Sequence, residues 1–222
     1  MGGLFVVATP IGNLEDITLR ALRVLKEVDL IACEDTRQTA KLLARYQISR
    51  PTVSYHQHSR IQKIDWLIEQ LKNGKNIALV SDAGTPGISD PGFKLVEEAQ
   101  KNGIKVETIP GPSAVIAAAS VAGLPVDQFV FLGFPPHKKG RETFFKKLAE
   151  EEKTAIFYES THRFIKALDQ LEKVLDKGRQ IVVCRELTKK FEEVKKGNIE
   201  EIKKHFENKK IQGEFVILVN RI

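Results

Sequence analysis

The residues best suited to gripping a small molecule lie at positions 81–92, in the segment SDAGTPGISDPG. Its three glycines permit positive φ angles and close approach of a ligand to the main chain, and its two prolines stiffen the segment. An apolar run at residues 77–80 precedes it and helical spacing at residues 93–99 follows it. An ordinary turn between a strand and a helix needs only about two to six residues. We therefore interpret the segment as a binding loop, with an ordinary turn as the alternative.

Polar residues also follow the other apolar runs. In a parallel sheet, the carboxyl ends of the strands gather at one rim, where open α/β sheets bind their ligands. The helix start at Ser113 offers main-chain N–H groups to a carboxylate. The polar residues at 34–37 could equally be a cap that opens the next helix. The loops expected at the rim are residues 9–17, 34–37, 82–90, 110–113, 158–163, 185–190 and 213–214.

Three common signatures are missing from the sequence. It has no GxxxxGK[ST] phosphate loop, no GxSxG nucleophile elbow and no GxGxxG after the first apolar run. A Rossmann nucleotide site carries its glycines in that first turn, whereas the glycine loop here follows the fourth run. The displacement argues against an NAD enzyme and against the common Rossmann-type methyltransferases.

Composition narrows the classes further. The net charge of +6 and pI of about 9.2 favour an anionic partner, with nucleic acid as the leading candidate. No apolar run approaches the roughly 18 to 20 residues of a membrane helix, and the start does not resemble a signal peptide. Cys33 and Cys184 lie in apolar runs, which predicts buried thiols in a reducing compartment, so we expect a cytoplasmic protein. We favour surface or RNA-facing roles for His56 and His58, and no metal site is expected.

The elements that must position these loops alternate along the chain. Apolar runs predict strands near residues 4–8, 28–33, 52–55, 77–80, 104–109, 129–134, 155–158, 180–184, 193–195 and 215–219. Helical spacing separates most of them, which favours α/β architecture with mostly parallel to mixed sheets. The sequence predicts two α/β lobes, residues 1–112 and 113–222.

Several segments carry a family resemblance. Residues 81–92 resemble the signature SDAGTPxxSDPG of one branch of the tetrapyrrole-methylase-like (class III) S-adenosylmethionine-dependent methyltransferases. That branch comprises bacterial enzymes that methylate the ribose 2′-oxygen of cytidine 1402 in 16S rRNA. Agreement spans essentially the whole chain, through residues 8–18, 34–37, 110–114, 157–163, 185–189 and 213–215.

The resemblance implies two α/β domains with S-adenosylmethionine in a cleft between them, usually in a homodimer. It implies that 16S rRNA within the small ribosomal subunit is the substrate, with no membrane partner. Thr85 stands where the tetrapyrrole branch has an aspartate. Carried over by motif, the donor contacts are Pro10, Ile11, Gly84, Thr85, Ile88, Ser113, Ala114, Tyr158, Leu187, Gly213 and Glu214.

Methyl transfer to a ribose hydroxyl is an in-line displacement that depends mainly on positioning. A base, or a cation that stabilises the alkoxide, would help because the hydroxyl is a poor acid. The candidates near the rim are Glu34, Asp35, Asp90, Glu159 and Lys189, each of which could instead be a cap or an ion-pair partner. Candidates for contacts to RNA phosphates are Arg37, Lys138, Lys139, Arg141, His162 and Arg163.

Two alternatives stay open at this point. A tetrapyrrole or corrinoid methyltransferase of the same superfamily would carry the tripeptide Gly-Asp-Pro in place of residues 84–86. The basic net charge also argues against this alternative. A non-catalytic nucleotide- or RNA-binding module would not bind the methyl donor at all.

Overall fold

The computed structural model describes residues 1–55, 61–90 and 92–221, apart from the side chain of Ile61. The chain divides into two compact units, Met1–Ser113 and Ala114–Ile222. Each unit contains one five-stranded sheet together with helices. The prediction of α/β architecture with parallel to mixed sheets is confirmed.

The first unit has an entirely parallel sheet, in the strand order β3-β2-β4-β1-β5. Its strands are β1 (Gly3–Val7), β2 (Leu30–Cys33), β3 (Thr52–Ser54), β4 (Ile77–Val80) and β5 (Lys105–Ile109). Its helices are α1 (Leu19–Glu27), α2 (Thr36–Arg45), α3 (Ile61–Lys72) and α4 (Gly92–Lys101), with a short 3-10 helix at Leu14–Asp16. The carboxyl ends of all five strands therefore lie at the same edge.

Both faces of the first sheet are covered by helices. Every residue of β2 and β4 is buried, as expected for short, continuously apolar strands. On one face α1 and α2 contribute Leu25 and Leu43, and on the other α3 and α4 contribute Leu67 and Leu95. Two apolar layers thus fix the sheet that carries the candidate loops.

The second unit has a mixed sheet, in the order β6-β7-β10-β8-β9, with β6 and β7 parallel and the other neighbours antiparallel. Its strands are β6 (Phe129–Phe131), β7 (Thr154–Ser160), β8 (Ile181–Arg185), β9 (Glu193–Gly197) and β10 (Glu214–Val219). Its helices are α5 (Ala114–Val121), α6 (Arg141–Ala149), α7 (Phe164–Val174) and α8 (Ile199–Phe206), with a 3-10 turn at Thr161–Arg163.

Aromatic side chains fill the core of the second unit. The rings of Phe164 and Phe215 stack with centroids 4.0 Å apart, and Phe206 meets Phe164 edge-on at 4.9 Å. The side chain of Asn198 caps α8 by accepting from the amide of Glu201, whose carboxylate accepts in return from the amide of Asn198. These contacts anchor α7 and α8 against the sheet.

Some boundaries differ from the sequence predictions. The strand predicted from residue 28 begins at Leu30, because Val28 caps α1 by donating its amide to the carbonyl of Val24. The strand predicted over 129–134 ends at Phe131, and Phe134 is half exposed. The strand predicted over 155–158 continues to Ser160, since its last residues pair with β10.

No helix within the described parts of the chain is both long enough and apolar enough to span a bilayer.

Candidate active site

The glycine loop after β4 is joined to the end of β1. Thr9 and Gly84 exchange main-chain hydrogen bonds, at 2.9 Å from the Thr9 amide and 3.0 Å from the Gly84 amide. The buried hydroxyl of Thr9 also donates to the carbonyl of Ser81, at 3.0 Å. The loop after the fourth strand is therefore held at a fixed position beside the loop after the first.

The same loop reaches the end of β5. Gly84 has a φ of +83°, a conformation that favours glycine. The hydroxyl of Thr85 donates to the carbonyl of Pro112, at 3.2 Å. Because β1 lies between β4 and β5, the residues predicted to hold the donor in this unit come together at three adjacent strand ends. They are Pro10, Ile11, Gly84, Thr85, Ile88 and Ser113, of which Ile88 is half exposed.

The second half of the loop is organised by Asp90. Its Oδ1 accepts from the amides of Gly87 and Gly92, at 2.8 and 2.7 Å. Gly92 is the first residue of α4, so this carboxylate satisfies a main-chain donor at the start of that helix. The sequence left Asp90 open as a candidate base or a cap, and in the structure its carboxylate makes the contacts of a cap.

Two unlike carboxyl groups, Asp35 and Asp82, follow the neighbouring strands β2 and β4. Asp35 caps α2 by accepting from the amide of Arg37 at 2.8 Å, and it pairs with the Arg37 guanidinium at 2.6 Å. Hydrogen bonds from Arg37 lower the pKa of Asp35 from 3.8 to about 2. Asp82 accepts from the amide of Asp35 at 3.0 Å, and partial desolvation raises its pKa. Asp35 is thus a weak base, tied to α2.

A buried ion network lies at the end of β7. The Glu159 side chain is inaccessible to solvent, and its two oxygens meet Arg141 at 2.6 Å and Arg163 at 2.9 Å. The Arg141 guanidinium also donates to Gln170 and to the carbonyl of Pro136. Glu159 therefore neutralises two guanidinium groups inside the second unit.

This network corrects one RNA prediction and weakens one catalytic prediction. Arg141 is only 2% exposed, so the prediction that it contacts an RNA phosphate from the surface is wrong. Arg141 is the first residue of α6, and its guanidinium carbon lies over the Phe145 ring, 5.2 Å from the ring centroid. Glu159 is enclosed by its two arginines, which leaves it unsuited to accept a proton from a substrate.

The loop after β8 and the start of β10 form a second polar cluster. The ammonium of Lys189 lies 3.0 Å from Glu186 and 2.8 Å from Glu214. Although burial opposes it, hydrogen bonds to Glu214 and Glu186 raise the pKa of Lys189 above its ordinary value. Lys189 is therefore a cation at neutral pH and cannot serve there as a base. Leu187 is buried in this loop, and Gly213, just before β10, has a φ of +93°.

Tyr158 is a half-buried aromatic residue on the other side of β10. Its ring meets Phe131 edge-on at 4.9 Å and Phe134 at 5.3 Å. Burial raises the pKa of its phenol to about 12, against a hydrogen bond with the main chain of Val115. The neutral ring is a flat apolar surface, suited to a planar ligand group.

Among the remaining candidate RNA contacts, the Arg163 side chain is only 16% exposed and pairs with Glu159, whereas the others are exposed. Lys138 and Lys139 lie in the loop before α6, and His162 lies in the 3-10 turn after β7. The Arg37 side chain is 86% exposed despite its pairing with Asp35. The histidines at 56 and 58 fall outside the described residues. Within the described residues no group of three or more His, Cys, Asp or Glu side chains could hold a metal.

Sequence reasoning missed three residues that organise these loops: Thr9, Asp82 and Glu186. Each is next to a predicted strand end, which was the available signal. Their contacts are made with residues distant in sequence, and a local pattern does not show such contacts.

The comparison with known families decides the identity of the fold. Residues 3–203 match the family described as Tetrapyrrole (Corrin/Porphyrin) Methylases. The chain belongs to this family. The predictions of the family and of methyltransferase chemistry are confirmed.

Curated relatives of this tetrapyrrole methylase family protein carry the name Ribosomal RNA small subunit methyltransferase I. One from Thermotoga maritima is 44% identical over 220 residues, which cover 99% of each chain. One from Vibrio cholerae is 49% identical over 221 residues, covering 98% of this chain and 76% of the relative.

Solved structures of other methyltransferases share the fold. A cobalt precorrin-4 methyltransferase superposes with a TM-score of 0.75 at 16% identity, covering 98% of this chain and 94% of the other. A uroporphyrin-III C-methyltransferase from Thermus thermophilus gives 0.69 at 18% identity, covering 99% and 94%. At these identities the likeness shows the fold alone.

Proposed function

We propose that this protein transfers a methyl group from S-adenosylmethionine to the 2′-hydroxyl of cytidine 1402 in 16S rRNA of the small ribosomal subunit. The observation that carries the proposal is the 44% identity to the Thermotoga maritima small-subunit rRNA methyltransferase across 99% of both chains. A cytoplasmic location follows from that substrate. A homodimer is proposed from the family resemblance, and sedimentation equilibrium at twice 25.0 kDa would support it.

The loops of the first unit suit a donor held mainly by main-chain groups. Gly84 presents a main chain without a side chain, and a Cβ there would point toward Ile11 and Pro112, with nearest atoms at 3.5 and 3.6 Å. We propose that Pro10, Ile11, Gly84, Thr85, Ile88 and Ser113 contact the donor from this unit. From the second unit we propose Ala114, Tyr158, Leu187, Gly213 and Glu214.

The chain's own groups divide the catalytic work between positioning and charge. S-adenosylmethionine supplies the electrophilic methyl group when bound. Lys189 stays protonated, so we propose that its ammonium stabilises negative charge developing on the ribose oxygen. We propose Glu34 as the base because it directly follows β2, at the carboxyl edge of the first sheet. The two roles are tested by comparing kcat for methyl transfer in Lys189→Met and in Glu34→Gln with that of the unsubstituted protein.

The donor site is tested by a matched pair of glycine substitutions. Gly84 and Gly74 have φ angles of +83° and +90°, and a Cβ at Gly74 would meet nothing within 4 Å. Alanine at either position should cost about 1–2 kcal/mol of stability through the left-handed conformation. Only Gly84→Ala should weaken donor binding, by at least tenfold, because only there would the Cβ enter the proposed site.

Isothermal titration calorimetry with S-adenosylmethionine measures that difference, and thermal unfolding checks the shared strain. Equal donor affinity in Gly84→Ala and Gly74→Ala would reduce the loop to a turn. Absence of any heat of binding in the unsubstituted protein would reject the donor itself. Transfer of labelled methyl groups to small subunits from a strain lacking the enzyme then tests the RNA substrate.

A further inference from the structure

The loop after β8 holds two residues in a conformation that side chains rarely adopt. Glu186 has a φ of 51° and Thr188 a φ of 65°. Such angles persist where the surroundings fix them, and they concentrate at ligand-binding sites. Leu187, a proposed donor contact, lies between the two.

Glu186 satisfies both main-chain groups of Glu214. Its amide donates to the Glu214 carbonyl at 3.0 Å, and its Oε1 accepts from the Glu214 amide at 2.9 Å. The same Oε1 accepts from the ammonium of Lys189, at 3.0 Å. Although partial burial opposes it, the bonds from Lys189 and Glu214 hold the pKa of Glu186 below its ordinary value. One carboxylate thus ties the β8 loop to the first residue of β10.

The Glu186 side chain also lies directly against Gly213. A Cβ built on Gly213 would be 2.4 Å from both Cγ and Cδ of Glu186, closer than real contacts allow. From the β7 side, the hydroxyl of Thr161 donates to the Gly213 carbonyl. Gly213 is therefore clamped between two neighbouring loops, and its lack of a side chain makes room for Glu186.

We propose that Glu186 is a positioning residue for the methyl donor. Its carboxylate fixes the main chain at Gly213 and Glu214, orients Lys189 and sets the path of Leu187, so that the second unit presents a preformed surface to S-adenosylmethionine. A preformed surface binds more tightly because no ordering is left to occur on binding. The inference rests on the proposed function and extends it to a residue outside the donor contacts.

The test compares Glu186→Ala with Glu186→Gln. The alanine variant loses the acceptor for the Glu214 amide, and we expect donor Kd and donor KM to rise at least tenfold. The glutamine variant keeps an acceptor oxygen at the same position and should stay within about threefold of the unsubstituted protein. KM for small subunits should change by less than twofold in both. Glu152→Gln, an exposed carboxylate before β7, serves as the charge control.

A second pair of variants tests the clamp at Gly213. Gly213→Ala should reproduce the donor defect of Glu186→Ala, because its Cβ displaces the glutamate side chain. In the double variant Glu186→Ala/Gly213→Ala, the Cβ at position 213 no longer collides with the glutamate side chain. The combined loss of donor affinity should therefore be smaller than the product of the two single losses. Multiplicative losses would show that the two residues act independently and would overturn the clamp.

Calorimetry on the full chain separates this inference from the proposed function. If the unsubstituted protein binds S-adenosylmethionine and Glu186→Ala binds it equally well, the positioning role is wrong and the donor site stands. A Glu186→Ala variant with a lower melting temperature but unchanged donor affinity would assign the residue to stability alone, and would equally overturn the inference. If the unsubstituted protein binds no donor, the proposed function and the inference fail together.

Discussion

Asp35 both caps a helix and forms an ion pair. Its carboxylate caps α2 and pairs with Arg37, while its amide orients Asp82. A carboxylate that accepts several hydrogen bonds prefers its charged form. The hydrogen bonds that the Asp35 carboxylate accepts therefore both cap α2 and lower the basicity of the residue. Because they favour the charged form, the contribution of Asp35 to stability depends on pH.

Stability should fall in acid through Asp35. Its pKa of about 2 in the folded protein lies below the ordinary 3.8, so folding favours the charged form. The contribution is complete above about pH 5 and is lost as the pH falls from about 4 toward 2. Urea unfolding at pH 5 and pH 3 should show a smaller loss on acidification in Asp35→Asn than in the unsubstituted protein. Equal losses in the two proteins would contradict the prediction.

The residue types of Asp35, Asp90 and Glu159 indicated that these residues were important. They did not indicate whether the roles were catalytic or structural. For Asp90, the deciding fact is that its carboxylate accepts hydrogen bonds from the amides of Gly87 and Gly92. For Glu159, it is the approach of Arg141 from a different element. Such assignments depend on tertiary geometry, so the sequence left catalytic and structural roles open.

At the scale of elements, the end of β7 is where a strand, a 3-10 turn and α6 share one buried charge. Arg141 begins α6 and Arg163 ends the turn, and both reach Glu159 on β7. Removing one partner of a buried ion pair leaves uncompensated charge, which costs more than the pair itself contributes. The network therefore fixes how these elements meet.

Glu159→Gln should destabilise the protein by about 3 kcal/mol, because two guanidinium groups lose their common counter-charge. The folded fraction should keep its methyl-transfer kcat within about threefold, since Glu159 is enclosed. Urea unfolding and the transfer assay measure the two quantities. Glu142→Gln, an exposed carboxylate in α6, should change stability by less than about 0.5 kcal/mol. A stable Glu159→Gln variant with no activity would return Glu159 to the catalytic candidates.

The elements themselves were largely predictable. Short apolar runs predicted β2 and β4 because both faces of the first sheet are covered. One error lies at an end set by long-range pairing, Ser160 opposite Glu214, and another at Val28, which caps α1 instead of starting β2. The strand order could not be predicted locally, because β1 pairs with two strands far along the chain.

At the scale of the whole molecule, the charge of +6 concerns the proposed RNA partner. Several lysines are paired with carboxylates, as Lys101 is with Glu97 at 3.0 Å and Lys105 with Glu107 at 3.3 Å. Lys138 and Lys139 are exposed in a loop between elements. Net charge alone therefore overstates the number of cations available to RNA phosphates. The role of each exposed lysine has to be tested by its position in the fold.

The double variant Lys138→Ala/Lys139→Ala should weaken small-subunit binding and lower its dependence on salt. Each lost phosphate contact removes about 0.7 from the slope of log affinity against log salt for single-stranded RNA, or about 1.4 for both. Lys101→Ala/Lys105→Ala makes the same change in net charge and should leave the slope unchanged. Binding measured from low to moderate salt checks this, and equal slopes in the two double variants would refute the RNA role of residues 138–139.

The position of β1 between β4 and β5 has a consequence during synthesis. Leu4 pairs with Ile77 on one side and with Val106 on the other. Within the first unit, β1 is thus made before both of its neighbours, whose paired residues follow 73 and 102 positions later. Until β4 has been made, β1 has no neighbouring strand to pair with, and the sheet of the first unit stays incomplete until β5 has also emerged.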